Sequence, residues 1–216
     1  MNIILFGPPG AGKGTQSDKI VKKFNLYKVS TGDLLRDEIK NSTDLGIKIK
    51  SMMDKGNLIS DTILNDLIVK VLFNKKFYNR LIFDGYPRNL EQAKYLDNKI
   101  KEYKQKISCV LYLNVDKESV IKRILGRQTC SNCGLIFNEY YNPAVIKNHT
   151  CDPKFLSKRP DDNKKTIIDR FETYINKTLP ILDFYKEQNL LHQINGIEEI
   201  DEIFDKIQGI LTSLET

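Results

Sequence analysis

The sequence is poor in proline and glycine, with seven and twelve in 216 residues, which excludes a linker-rich or collagen-like chain. It contains no apolar run near the roughly 18 residues that a bilayer-spanning helix requires. The N-terminal apolar stretch, Ile3 to Phe6, runs at once into Gly7-Pro8-Pro9 and is too short for the core of a signal peptide, so a cytoplasmic location is expected. Four cysteines, at 109, 130, 133 and 151, are too few for a disulfide scaffold, and the crowding of three into one segment points to metal. What remains, 40% hydrophobic and 29% charged, suits one globular domain with room for a small insert. Thirty-four Lys and Arg against twenty-eight Asp and Glu leave a net charge of +6. Such an excess suits nucleic acid, an acidic membrane surface or a phosphorylated metabolite, and a solvated surface rich in Lys accounts for it equally well.

Apolar strands alternate with amphipathic helices along the chain. Strands are expected at Asn2 to Phe6, Tyr27 to Ser30, Leu81 to Asp84, Ser108 to Val115 and Leu190 to Ile194, with a helix over Lys13 to Phe24 after the first. That alternation predicts an α/β fold built on a parallel sheet covered on both faces. Two stretches interrupt it. Residues 31–73 hold three helix-like segments (Asp33 to Lys40, Leu45 to Lys55, Asp61 to Phe73) without a strand, and residues 127–158 hold the cysteine cluster, Tyr140-Tyr141-Asn142-Pro143 and little helical period. The first is expected to be a helical insert and the second a small, mostly β excursion. Both are expected to leave the core at the C-terminal ends of strands, where open α/β sheets place their ligand crevice, and to act as lids.

Gly7-Pro8-Pro9-Gly10-Ala11-Gly12-Lys13-Gly14-Thr15 has the G-x-x-x-x-G-K core of a phosphate-binding loop, set between an expected strand and an expected helix. Glycine lets successive backbone N–H groups curl toward an anion without Cβ clashes, and Lys13 supplies a mobile point charge. Where the general motif has Ser or Thr after the lysine stands Gly14, and the hydroxyl comes one residue later as Thr15.

This loop resembles that of the nucleoside monophosphate kinases, and of the adenylate kinases above all. The resemblance extends over essentially the whole chain. Ser30-Thr31-Gly32-Asp33-Leu34-Leu35-Arg36 is similar to the family's monophosphate-site motif, and Phe83-Asp84-Gly85-Tyr86-Pro87-Arg88 with Gln92 to its central D-G-[FY]-P-R signature. Arg123-Ile124-Leu125-Gly126-Arg127 and Arg159-Pro160-Asp161-Asp162 with Arg170 resemble its lid arginines and hinge. The fold so implied is a P-loop, doubly wound five-stranded parallel sheet with a helical monophosphate-binding insert and a small β lid. Residues 1–29, 60–126 and 163–216 would form the core, 30–59 the AMP-binding insert and 127–162 the lid. The implied activity is reversible phosphoryl transfer, ATP + AMP = 2 ADP.

The resemblance also implies roles. Gly10, Ala11, Gly12, Lys13, Gly14, Thr15, Arg123, Arg127, Ile136, Phe137 and Glu198 would contact ATP, Glu198 through its backbone. Thr31, Arg36, Asn57, Leu58, Ile59, Gly85, Tyr86, Pro87, Arg88, Gln92, Arg159 and Arg170 would contact AMP, with Thr31 and Gln92 reading the base. Lys13, Arg88, Arg127, Arg159 and Arg170 would be the catalytic cations, because transfer between two polyanions needs charge held fixed in a site that excludes water. Arg binds phosphate bidentately and stays charged. Arg123 and Arg127 are expected on one face of a helix, and so are Arg159 and Arg170 if a helix begins near Pro160. Asp84, ending a strand, would orient the magnesium that accompanies ATP. Asp161 and Asp162 would latch the closed lid or, alternatively, serve as helix N-terminal residues.

No His, Ser or Cys nucleophile is needed, since the attacking phosphate oxygen is already ionised. His149 and His192 are therefore expected to be surface or packing residues. Cys130, Cys133 and Cys151 resemble the zinc knuckle of some adenylate kinase lids, but Lys154 stands where a fourth cysteine is usual. Asp152 or His149 would complete a structural zinc site; otherwise three reduced thiols sit in a lid held by packing. Cys109 is expected to be a small buried hydrophobe. The partners implied are ATP and AMP, without nucleic acid or membrane, for a monomer. Two alternatives stay open, a kinase for UMP, CMP or GMP and a basic, zinc-ribbon nucleic-acid binder that holds ATP only as a ligand.

Overall fold

The computed structural model describes residues 1–54, 59–145, 148–159 and 162–215. A five-stranded parallel sheet has the order β2-β3-β1-β4-β8, formed by β1 (Asn2–Phe6), β2 (Tyr27–Ser30), β3 (Leu81–Asp84), β4 (Ile107–Asn114) and β8 (Leu191–Asn195). All five residues of β1 are buried, because a central parallel strand is covered on both faces. Its side chains alternate between two cores. Ile4 and Phe6 join Val29, Phe83, Val110 and Tyr112 under α4 (Asp61–Phe73), α5 (Leu90–Glu102) and α8 (Ile181–Lys186). Ile3 and Leu5 join Ile82, Cys109, Leu111 and Leu113 under α1 (Lys13–Phe24), α6 (Lys117–Leu125) and α9 (Ile200–Ser213). Cys109 is fully buried, and burial pushes its thiol up to about 12, so it packs as a small apolar residue.

The chain leaves β1 toward β3 and β2, and leaves β4 toward β8, in the opposite direction. The C-terminal ends of β1 and β4 therefore bound the crevice of a doubly wound sheet. Two excursions flank it. Helices α2 (Thr31–Lys40) and α3 (Asp44–Asp54) follow β2 and pack together, with Ser30 as the N-cap of α2, accepting from the Asp33 N–H at 3.3 Å. A three-stranded antiparallel sheet, order β6-β5-β7, is made by β5 (Arg127–Cys130), β6 (Ile136–Asn138) and β7 (Leu156–Ser157).

Three geometric expectations need correction. The second excursion leaves from the end of α6 rather than from a strand, although the last turn of α6 lies on the phosphate loop: a Cβ on Gly10 would sit 2.6 Å from Ile124 Cγ1. Arg123 and Arg127 do not share a helix, because α6 stops at Leu125 with Gly126 as its C-cap and Arg127 opens β5. Arg159 and Arg170 do not share one either. Asn163 caps α7 (Lys164–Thr173), accepting from the Thr166 N–H at 3.0 Å, so Arg159 lies upstream of the helix that carries Arg170.

At the end of the sheet away from the crevice, the fully buried Asn2 at the start of β1 joins three segments. Its amide donates to Gln105 Oε1 and to the Lys106 carbonyl, each at 3.1 Å, and its Oδ1 accepts from the Leu81 N–H at 3.1 Å. Replacing Asn2 by Ala orphans buried partners at both neighbouring strands. We expect Asn2→Ala to lower unfolding free energy by about 2 kcal/mol in urea denaturation, with catalytic constants unchanged because the residue is remote from the crevice.

Candidate active site

The loop after β1 is shaped by three glycines with positive φ, Gly7 at 153°, Gly10 at 78° and Gly12 at 92°. Gly12 is the N-cap of α1 and contributes no side chain, so the first N–H groups of the helix face the crevice with the positive end of its dipole. This is an anion site in its own right. Lys13 Nζ donates to the Gly7 and Pro8 carbonyls at 2.7 and 3.0 Å, which stretches the side chain back over the loop. Ala11 is buried, and Gly14 and Thr15 continue into the first turn of α1. Ile136, at the start of β6, reaches this turn: a Cβ on Gly14 would be 4.0 Å from its Cδ1. The small sheet thus lies over the phosphate loop.

Cations from three separate elements crowd Lys13. Burial lowers its pKa to about 8, Asp84 opposes this, and Arg88, Arg170 and Arg127 push in the same direction as burial. Asp84 ends β3 beside it, and burial raises the pKa of that carboxyl against the pull of Lys13 and Lys28. Arg88 follows the β3 turn. Its Nε donates to the Gly85 carbonyl at 2.7 Å, and its own carbonyl accepts from Thr178 Oγ1 at 2.8 Å, in the π-helical turn Tyr174–Thr178 that continues α7. Arg127 is held by both oxygens of Asp162, with Nε at 2.9 Å from Oδ2, and the Asp162 side chain is fully buried. Arg159 is joined to the same aspartate through the Asp162 N–H, which donates to its carbonyl at 3.0 Å.

On the side of the crevice next to β2 and β3, Thr31 is buried at the start of α2 and donates to the Gly85 carbonyl at 3.1 Å. Arg36 pairs with Asp33 one turn earlier on the same helix. Tyr86 is buried, its hydroxyl donating to Asn65 Oδ1 at 2.6 Å, and Pro87 follows it in a cis peptide. Gln92 is buried in the first turn of α5, and Ile59 packs on the core. Asn57, Leu58 and Asp161 lie outside the described residues. In the last turn of α6, Arg123 Nη1 donates to the Gly196 carbonyl at 2.7 Å and its guanidinium lies 5.4 Å from the Tyr141 ring centre. Glu198 commits its side chain to Lys206 and to Asn195 Nδ2, the latter at 3.2 Å.

A phosphate loop, a strand-end carboxylate and converging arginines are the parts of a phosphoryl-transfer site. The sequence profile described as Adenylate kinase matches residues 5–190. An adenylate kinase of Pelagibacter ubique is 49% identical over 211 residues, 98% of this chain and 99% of that protein. One of Listeria innocua is 40% identical over 214 residues, 99% of this chain and 100% of its own length. One of Methanothrix thermoacetophila is 40% identical over 217 residues, the full length of both. The chain belongs to the adenylate kinase family.

In this adenylate kinase-family chain the cysteine segment forms a cluster. The ligand atoms of Cys130, Cys133, His149 and Cys151 lie within 4.8 Å of one another. His149 is not a surface residue: it is buried, stacks edge-on to Phe137 at 4.8 Å, and its Nε2 is buried without a hydrogen-bond partner among the described residues. Against the upward pull of burial, N–H groups of Cys133 and Asn132 and the His149 side chain hold the Cys130 thiol down to about 6. Asp152, the other candidate fourth ligand, is exposed and pairs with Lys154 at 3.1 Å. Three thiols and an imidazole with an orphaned nitrogen fit a tetrahedral zinc site.

Sequence reasoning missed Tyr141 behind Arg123, and Asn138, whose Nδ2 donates to the Arg123 carbonyl at 2.7 Å. The pair Tyr140-Tyr141 was the available signal, since aromatic residues outside the core period need another reason to be there.

Lys13 near 8 has a consequence for binding. A phosphate anion beside Nζ stabilises the charged form, so the bound lysine returns toward its ordinary value of 10.5. MgATP binding is therefore expected to take up protons above about pH 8 and to weaken as pH rises through that value, with little uptake below about pH 7. Calorimetry in buffers of different ionisation enthalpy measures this, and Lys13→Met should abolish the uptake.

Proposed function

We propose that the protein catalyses ATP + AMP = 2 ADP, with phosphoryl transfer occurring across the crevice between the phosphate loop and Arg88. The observation that carries this reading is the convergence of Lys13, Arg88, Arg127 and Arg170 on one site beside Asp84. The loop N–H groups of Gly10 to Thr15 and Lys13 would cradle the donor phosphates, with Arg123, Ile136, Phe137 and the backbone at Glu198 around the donor nucleoside. Phe137 is buried against His149, so its contribution would be to shape the pocket wall.

Arg36 and Arg88 would hold the AMP phosphate, and Thr31, Ile59, Gly85, Tyr86, Pro87 and Gln92 would line its nucleoside pocket, together with Asn57 and Leu58. The attacking oxygen belongs to an ionised phosphate, so positioning and charge stabilisation suffice and no general base is required. Arg127, Arg159 and Arg170 would stabilise the charge that spreads over the transferring group. Magnesium, when bound with ATP, neutralises charge across the β- and γ-phosphates, and Asp84 would orient it. Asp162 would keep the lid arginine in place, with Asp161 as the second lid latch. Residues 30–59 and 127–162 would move as lids over the core formed by 1–29, 60–126 and 163–216, excluding water and suppressing ATP hydrolysis.

The cations cluster around one crevice rather than along a stripe, which favours free nucleotides as partners over nucleic acid or membrane, for a cytoplasmic monomer. No helix among the described residues is long and apolar enough to cross a membrane. In this reading Cys130, Cys133, His149 and Cys151 would bind a structural zinc, remote from the reacting phosphates.

Initial ADP formation from MgATP with AMP, CMP, UMP or GMP tests the activity. AMP should be strongly preferred, and Arg88→Ala should lower kcat/KM for AMP by about a hundredfold or more, as loss of a charged phosphate contact does. Preference for another acceptor, or no transfer by folded protein, overturns the reading. For the metal, purified protein should contain equimolar zinc, and cobalt substitution should give thiolate charge-transfer absorption. His149→Ala should lower both metal affinity and melting temperature. Absence of metal binding by folded protein would remove the zinc proposal.

A further inference from the structure

The amide of Gln92 is fixed by two partners of opposite character. Its Oε1 accepts the Arg88 N–H at 2.7 Å, and its Nε2 donates to Asp61 Oδ1 at 2.6 Å. A backbone N–H can only donate and an ionised carboxylate can only accept. The amide oxygen and nitrogen are therefore assigned by chemistry: a flipped amide would oppose NH2 to N–H and oxygen to carboxylate.

The second oxygen of Asp61 accepts from Asn89 Nδ2 at 2.8 Å, and Asn89 caps α5 by accepting the Gln92 N–H at 2.8 Å. One carboxylate in the first turn of α4 thus holds both the Gln92 side chain and the residue that caps its helix. Gln92 is 2% exposed, so it has no bulk water with which to exchange these bonds.

A primary amide has two N–H groups and two acceptor lone pairs. One of each is committed here, which leaves one donor and one acceptor in fixed order for a base. We infer that Asp61 is a positioning residue for acceptor-base specificity, acting by holding the Gln92 amide in one orientation. This rests on the proposed reading that Gln92 contacts the base of AMP. Adenine presents an amino donor beside a ring-nitrogen acceptor. Hypoxanthine has nearly the same shape but presents a carbonyl acceptor beside an N–H donor, the reverse order. Locked Gln92 matches one and opposes the other, whereas a Gln92 free to turn over accommodates both. Arg88 N–H holds only the oxygen end; Asp61 holds the nitrogen end.

The test compares AMP with IMP as acceptors for the full chain and for Asp61→Ala, Asp61→Asn, Asp61→Glu and Gln92→Leu, each checked for a cooperative melt. Asp61→Ala should raise KM for AMP about tenfold and narrow the AMP-over-IMP ratio of kcat/KM by about tenfold, with KM for ATP unchanged. Asp61→Asn, which keeps the shape and removes the charge, should move the same way by a smaller factor. Asp61→Glu, an acceptor only, should restore most of the ratio. Gln92→Leu should collapse it. An unchanged ratio in folded Asp61→Ala and Asp61→Asn, with collapse in Gln92→Leu, overturns the role of Asp61 alone. An unchanged ratio in Gln92→Leu overturns base reading by Gln92 and this inference with it. Failure of the unaltered protein to use AMP overturns the proposed activity itself.

Discussion

The crowding of like charge around Lys13 is the constraint on which the rest of the site depends. Lys13, Arg88, Arg127 and Arg170 share a region beside Asp84; burial lowers the pKa of Lys13 most, and the three arginines lower it further against the pull of Asp84. Cations so placed repel one another unless each is anchored by its own element. The anchors differ in kind. Lys13 leans on the Gly7 and Pro8 carbonyls, Arg88 on the Gly85 carbonyl, and Arg127 on the buried carboxylate of Asp162. Neutral carbonyls fix position without cancelling charge, so Lys13 and Arg88 keep their full attraction for phosphate. Arg127 alone among these three is charge-matched by its anchor, and it belongs to the small sheet rather than to the core.

The sheet supplies the frame that keeps these anchors still. Strands β1 and β3 are paired in register, Leu5 opposite Asp84, so the residue that ends β3 stands next to the start of the phosphate loop. Side chains on both faces of β1 are buried, which leaves the strand no freedom to tilt without opening one of the two cores. The contact between Thr178 and the Arg88 carbonyl adds a link between the helix carrying Arg170 and the turn carrying Arg88. Two cations from elements far apart in sequence are thereby held by one hydrogen bond at 2.8 Å.

Those parts of the architecture that depend on local pattern were legible in the sequence. The five strands, the phosphate loop and α4 follow from apolar runs, glycine spacing and periodicity, and each lies where those signals placed it, with ends shifted by a residue at β4 and β8. The placement of Arg127 and Arg159 was not legible, because four- and eleven-residue spacings speak of a common face only inside an uninterrupted helix. Gly126 ends α6 between Arg123 and Arg127, and Asn163 starts α7 after Arg159. His149 could be named only as one of two candidate fourth ligands, because its spacing from Cys151 matches no usual knuckle, and only the folded structure brings the imidazole rather than Asp152 to the thiols. The tie between Asp61 and Gln92 joins two helix starts thirty-one residues apart, and nothing local to either marks it.

The small sheet has little interior of its own. Among the described residues of 127–159, only Cys130, Phe137 and His149 are buried. Three such residues cannot supply the apolar burial that offsets the chain entropy of an ordered segment of this length. Two of the three belong to the sulfur and imidazole cluster and the third stacks on its histidine, so the interior of the small sheet is essentially that cluster. It joins the turn after β5 to the segment before β7, the two ends that strand pairing with β5 alone leaves loosely connected. Order in the small sheet therefore comes less from apolar packing than from strand pairing and hydrogen bonds. Arg127 opens this sheet and is paired with the buried Asp162 side chain, so its aim is set by a charged partner rather than by apolar packing.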